Sequence, residues 1–155
     1  MSIAPVLARR LVMTQTKRNK ITVIAIAGAR LLLGLVFFVF GLDGFLHFVP
    51  QPTTLPPEGA MSLAIAMMKT GYMFPLIKGT ELLAGTLLLT NRFVPLALAL
   101  LAPVVVNIVA FHAFLAPEGT TLAVVLLILE VALAWAYRNA YRPMLAPKHL
   151  VSARA

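Results

Sequence analysis

FVPLALALLAPVVVNIVAFHAFL, residues 93–115, carries no charged side chain along its whole length. At about 1.5 Å of rise per residue, a helix of that length crosses a hydrocarbon core about 30 Å thick. The residues on either side repeat the pattern. Thr90-Asn91-Arg92 reads as a tight turn, and before it residues 72–90 form a second apolar run. Pro117-Glu118-Gly119 reads as another turn, followed by a third run over residues 120–137. The longest run, residues 21–49, lies nearer the N-terminus and ends in a proline-rich stretch beginning at Pro50. Four such runs predict an all-α protein, a polytopic membrane four-helix bundle. In hydrocarbon every backbone polar group must be bonded internally, which helices do.

Composition agrees. Apolar residues make up 61% of the chain and charged residues 12%, with a mean hydropathy of +0.94. A soluble domain carries roughly 25% charged residues. Four spans and their turns account for most of the 155 residues, so the expected organisation is simple. Residues 1–20 form a basic cytoplasmic tail, 21–142 a transmembrane domain and 143–155 a C-terminal tail. Ala25-Ile26-Ala27-Gly28-Ala29 has the small residues of a cleavage site. The apolar run before it is short and a longer one follows, so a retained first span is the expectation.

The net charge of +8 would suit nucleic acid, but its placement does not. Arg9, Arg10, Lys17, Arg18 and Lys20 precede the first run, Arg92 lies in the middle turn, and Arg138, Arg142, Lys148 and Arg154 follow the last. With four spans these regions share one side of the membrane. The positive-inside bias then puts both termini in the cytoplasm, with Glu58 and Glu118 outside. The basic ends suit anionic lipid, and no nucleic-acid-reading module is present. Trp135, Tyr137 and Tyr141 read as an inner aromatic belt.

Residues 58–70 are helix-prone but too short to span. They predict a short outer interfacial or re-entrant helix, broken by Gly71. Pro103 falls inside the run at 93–115, where proline removes a backbone hydrogen bond and favours a kink.

The polar residues inside these runs are the candidates for chemistry, because each needs a partner or a function. Counted from the outer ends, His47, His112, Lys78 and Asp43 lie roughly 5–10 Å deep, and Glu81, Asn107 and Glu130 roughly 13–15 Å. Asp43 and His47 are four apart, and Lys78 and Glu81 three apart, so each pair shares a helix face. The six residues Asp43, His47, Lys78, Glu81, Asn107 and His112 are expected to line one polar space. Three readings stand open: interhelical packing bonds, a pocket for a small ligand or quinone head group, and a metal or haem site from His47, His112, Asp43 and Glu81. Lys78 with Glu81 reads most simply as an ion pair. Arg30 and Glu130 lie at comparable depths and are candidates for a second buried pair. Gly28, Gly34, Gly41, Gly44, Gly79 and Gly85 read as places where helices approach closely. The chain has no cysteine, which excludes disulfide, thiolate and iron–sulfur chemistry by its own residues.

The two hairpins are faintly alike. Each has a histidine near the outer end of its first helix (His47, His112) and a glutamate within its second (Glu81, Glu130), as a parallel repeat would.

Arg30-Leu31-Leu32-Leu33-Gly34-Leu35-Val36-Phe37, followed by Gly41, resembles the first-helix pattern of the DoxX family. Glu81-x3-Gly85-x-Leu87-Leu88-Leu89, followed by Asn91-Arg92-Phe93, resembles its second-helix pattern. The resemblance extends over residues 21–142. It implies a small four-helix protein of the bacterial inner membrane, in a redox-associated setting, with quinone as the possible cofactor and membrane redox subunits or a second copy as partners. It marks Arg30 and Glu81 as positions to watch and supplies no catalytic mechanism. A small proton-coupled transporter and a ligand-free assembly or scaffold subunit are the alternatives.

Overall fold

A computed structural model describes residues 4–50 and 55–145, with the backbone alone for residues 4–19. All regular structure among the described residues is helical. The elements in chain order are α1 (Ala4–Leu46), α2 (Glu58–Lys69), α3 (Met73–Leu89), α4 (Val94–Phe114), a single 3-10 turn (Pro117–Gly119), α5 (Thr120–Ala136) and the short α6 (Arg138–Tyr141).

The apolar runs set these boundaries. Three stretches are long and apolar enough to cross a membrane: Lys20–Leu46 within α1, Val94–Phe114, and Pro117–Ala136. In their most apolar windows only 17%, 28% and 22% of the residues are buried by the protein. Leu35, Val106, Ile128 and Val131 instead point outward and are more than half exposed. Water would not tolerate so much outward apolar surface on a chain of this size, whereas lipid would. α3 reaches the same criterion only together with α2, and the two meet at 94°.

The corner between α2 and α3 has a local cause. Gly71 adopts a left-handed φ of 74°, open to glycine at no steric cost. The Thr70 hydroxyl donates to the Met67 carbonyl at 2.6 Å and accepts from the Met73 amide at 3.1 Å, tying the end of one helix to the start of the next. The segment at 58–70 is therefore a separate helix set across α3.

The first span, Lys20–Leu46, starts where the sequence places it but is the end of a longer helix. α1 starts at Ala4, so the backbone of the basic N-terminal segment continues the same helix. The segment expected as a C-terminal tail is described only as far as Leu145, and Lys148 and Arg154 lie outside the described residues. Pro103 sits within α4, which continues through it as one helix.

The four long helices contact one another in a ring, α1 with α3, α3 with α4, α4 with α5 and α5 with α1. Leu33 and Phe37 of α1, Leu88 of α3, Leu98 and Leu101 of α4 and Leu133 of α5 are fully or almost fully buried at its centre. The most extensive contact is α1 on α3. Four glycines explain it. A Cβ at Gly41 would lie 2.5 Å from the Leu82 amide nitrogen, and one at Gly85 would lie 2.5 Å from the Phe38 nitrogen. At Gly34 it would lie 2.9 Å from the Leu88 Cβ, and at Gly44 it would overlap the stem of Lys78. Here backbone touches backbone, as small residues allow in lipid. Gly28 and Gly79, expected to act alike, have nothing within 4 Å of a built Cβ.

Candidate functional site

Among the described residues, buried polar side chains lie in two places. The first is the α1–α3 seam. Lys78 and Glu81 lie one turn apart on α3, and the Lys78 Nζ donates to Glu81 Oε2 at 2.8 Å. Glu81 is nearly fully buried and Lys78 partly so. Gly44 leaves room for the lysine stem to lie flat between the helices. The ammonium also sits 5.8 Å from the centre of the Phe74 ring. The sequence expectation of an ion pair is what the seam contains.

At the other end of the seam, buried Arg30 donates through Nη1 to the Leu88 carbonyl. Leu88 is in the last turn of α3, where carbonyls lack intrahelical donors and the helix dipole is negative. Arg30 thus caps α3 from across the seam. It is not paired with Glu130, the partner proposed for it from depth alone. Equal depth did not decide the pairing, because the close approach of α1 to α3 puts a helix terminus within the arginine's reach.

The remaining members of the expected polar space are engaged separately. The Asp43 carboxylate accepts from the Val49 amide at 2.7 Å, tying down the chain just beyond α1. Asp43 and His47, expected to share a helix face, are not joined through their side chains. His47 follows the end of α1 with a φ of 52° and an exposed side chain. His112 Nδ1 meets the Ala116 carbonyl at 2.8 Å, and its ring lies against Gly119, where no Cβ would fit. Asn107 is exposed and donates to the Pro103 carbonyl of its own helix at 3.1 Å. No hydrogen bond, ion pair or ring contact joins His47, His112 and Glu81. Among the described residues, no three His, Asp or Glu side chains are grouped to hold a metal ion. The set His47, His112, Asp43 and Glu81 is not gathered, because each side chain but the exposed His47 satisfies itself within its own element or turn.

The second place is one the sequence does not mark as a site. Between α4 and α5 lies an open-sided groove of about 360 Å³. Its lining includes Ala99, Ala102 and Ala134, whose short side chains leave the space, with Leu98, Val105 and Leu127 around them. Glu130 is the acidic residue in the lining. Only 5% of it is exposed, and its Oε2 has no hydrogen-bond partner. Tyr141 closes one end, its hydroxyl donating to the Pro95 carbonyl at 2.8 Å and so fastening α6 to the start of α4. Burial pushes the Tyr141 phenol up from its ordinary value. Beside it Arg138 stacks 5.1 Å from the centre of the Trp135 ring and donates to the Trp135 carbonyl at 3.0 Å. The sequence signal for this site was present in part. The sequence marks Glu130 as a buried acid but offers Arg30 as its partner, which the structure bonds to Leu88 instead.

No family model, curated protein or solved structure matches this chain.

Proposed function

We propose that the chain is a DoxX-like integral membrane protein of the bacterial inner membrane, acting as an accessory, quinone-associated subunit of a membrane redox system. Its topology in this reading has four spans, both termini and Arg92 in the cytoplasm, and α2 lying in the outer interface beside Glu58 and Glu118. One observation carries the reading. The two patterns that resemble the family are about fifty residues apart in sequence, yet their residues interlock. Arg30 of the first caps Leu88 of the second, Gly34 meets Leu88, Gly41 meets Leu82 beside Glu81, and Gly85 meets Phe38. The residues that carry the resemblance thus lie along the contact between the two helices, which supports the reading. Arg30 ties α1 to α3 across this seam, and the Lys78–Glu81 pair neutralises a buried acid within α3, which suits a subunit that supports a partner's chemistry.

The test is to purify the chain from its own membranes in mild detergent and to assay extracted quinone and co-purifying redox subunits. Quinone or a redox subunit should be retained, and quinone reduction should fall in membranes lacking the chain. Preparations free of both, with unchanged quinone reduction, would sink the redox reading. Topology has its own test. A cysteine at Glu118 should react with an impermeant thiol reagent in intact cells, and one at Arg92 should not.

A second reading, a small transporter, draws on the 94° break between α2 and α3, since interrupted helices line substrate paths in transporters. Flux of candidate solutes in proteoliposomes separates it from the first.

A further inference from the structure

We propose that the α4–α5 groove is a binding site for an organic cation with a large apolar body, which enters from the lipid and exchanges for the proton of Glu130. This inference does not rest on the redox reading.

The groove has the two features such a ligand needs. It offers about 360 Å³ of apolar space, enough for a body of several rings, and one acid at its wall. It opens sideways, between residues such as Val106 and Val131 that are themselves about 60% exposed. A strongly hydrated ion would have to shed its water to reach this face. A cation clothed in hydrocarbon partitions into the membrane first and meets the groove laterally.

The charge requirement follows from the neighbours of Glu130. An unpaired carboxylate in such surroundings costs several kcal/mol, so the group holds either a proton or a cation. Among the described residues no cation is paired with Glu130, and Arg138 on α6 is bonded to the Trp135 carbonyl. Arg30 on α1 is bonded to Leu88, and Lys78 on α3 is bonded to Glu81. On α4 the titratable group is His112, at the far end and turned to Ala116, and on α6 the Tyr141 hydroxyl is bonded to Pro95. Oε2 is left without a partner. A lipid acyl chain could fill the space but would leave that oxygen unmet. A cation fills the space and meets the carboxylate. The exchange balances: protonated Glu130 and one cation give a carboxylate–cation pair and one proton released to water. No other bond is made or broken.

The experiment uses the full chain in detergent, titrated with tetraphenylphosphonium in weakly buffered solution while binding and pH are followed together. Saturable binding of one cation per chain with release of about one proton is expected. Glu130→Gln should weaken binding roughly tenfold or more and abolish proton release. Ala102→Leu fills the groove and keeps the acid, and it too should weaken binding. Glu118→Gln, on the exposed outer turn, should change neither readout. Thermal melting of each variant shows whether it is folded. If Glu130→Gln is unstable, Ala102→Leu and proton release by the parent chain decide. Binding that is absent, unchanged by both groove variants, or unaccompanied by proton release would overturn the proposal. A neutral lipid that co-purifies with the parent chain, persists in Glu130→Gln and is lost from Ala102→Leu would assign the groove to lipid and overturn it as well.

Discussion

The α1–α3 seam and the α4–α5 groove each bury one glutamate on the second helix of a hairpin, and they treat it in opposite ways. In the seam, glycines bring backbones into contact, and Glu81 has a lysine one turn away. In the groove, alanines leave space, and Glu130 has an unpartnered oxygen. The first arrangement suits a fixed joint. A joint has no use for an uncompensated acid or an empty volume, since both lower stability. Features that cost stability are where function is to be sought. The pairing of one acid and the isolation of the other therefore separate scaffold from site more clearly than residue type does.

The largest test of that contrast is steric. Gly41→Leu would drive a side chain into the Leu82 backbone and force α1 off α3. A loss of more than about 3 kcal/mol is expected, because overpacking against backbone cannot be relieved by a rotamer change. Gly79→Ala has open space and should be neutral or stabilising by up to about 1 kcal/mol, from helix propensity alone. Unfolding curves in mixed micelles measure both. Equal effects would mean that the seam is not closed by its glycines.

Next come the two acids. Lys78→Met leaves a buried carboxylate without its ammonium and should cost about 3 kcal/mol, with much of the loss recovered in the double variant Lys78→Met/Glu81→Gln. Glu130→Gln has no ion pair to break and should change stability by less than about 1 kcal/mol. A loss at Glu130 as large as at Lys78 would show that Glu130 is a structural partner after all.

How much of this was legible in the sequence depended on the range of the interaction. The long apolar runs marked their own ends with Pro50, Gly71, Asn91-Arg92 and Pro117, and the helices observed begin and end within a few residues of them, apart from the N-terminal extension of α1. Lys78 with Glu81 was legible because an i,i+3 spacing fixes a shared face. The destinations of Arg30, Asp43 and His112 were not. Each side chain bonds a backbone carbonyl or amide at a helix end or turn, and depth along a helix carries no information about such groups. The groove was hidden for a related reason. It arises from which alanines of α4 face which residues of α5, a matter of rotation that runs this uniformly apolar do not encode.

Arg30→Met should have a smaller effect than breaking the ion pair. It removes one charge-assisted bond to the Leu88 carbonyl but leaves no charge behind, and Leu88 keeps the Asn91 amide at 3.2 Å. A loss of about 1.5–2 kcal/mol is expected, visible as a lower unfolding midpoint. Arg30→Lys should recover part of it, since an ammonium still favours a helix C-terminus. If Arg30→Met also destabilised the chain only when Glu130 was present, the two residues would be coupled and the groove would not be electrically isolated.

The smallest effect is the most discriminating. Three residues before Glu81 stands Lys78, and three residues before Glu130 stands Leu127, which lines the groove. Leu127→Lys would reproduce in α5 the spacing that works in α3, with the lysine stem lying along the space the alanines leave. The substitution alone should be unfavourable, because it puts a charge beside lipid. Its cost should nevertheless be lower with Glu130 present than with Glu130→Gln. A double-mutant cycle should return a favourable coupling of about 1 kcal/mol, typical of neighbouring side chains that interact. The same substitution should block tetraphenylphosphonium, since the new ammonium would occupy the carboxylate. No coupling would mean that Glu130 already has a partner, and the distinction between a filled seam and a waiting groove would disappear.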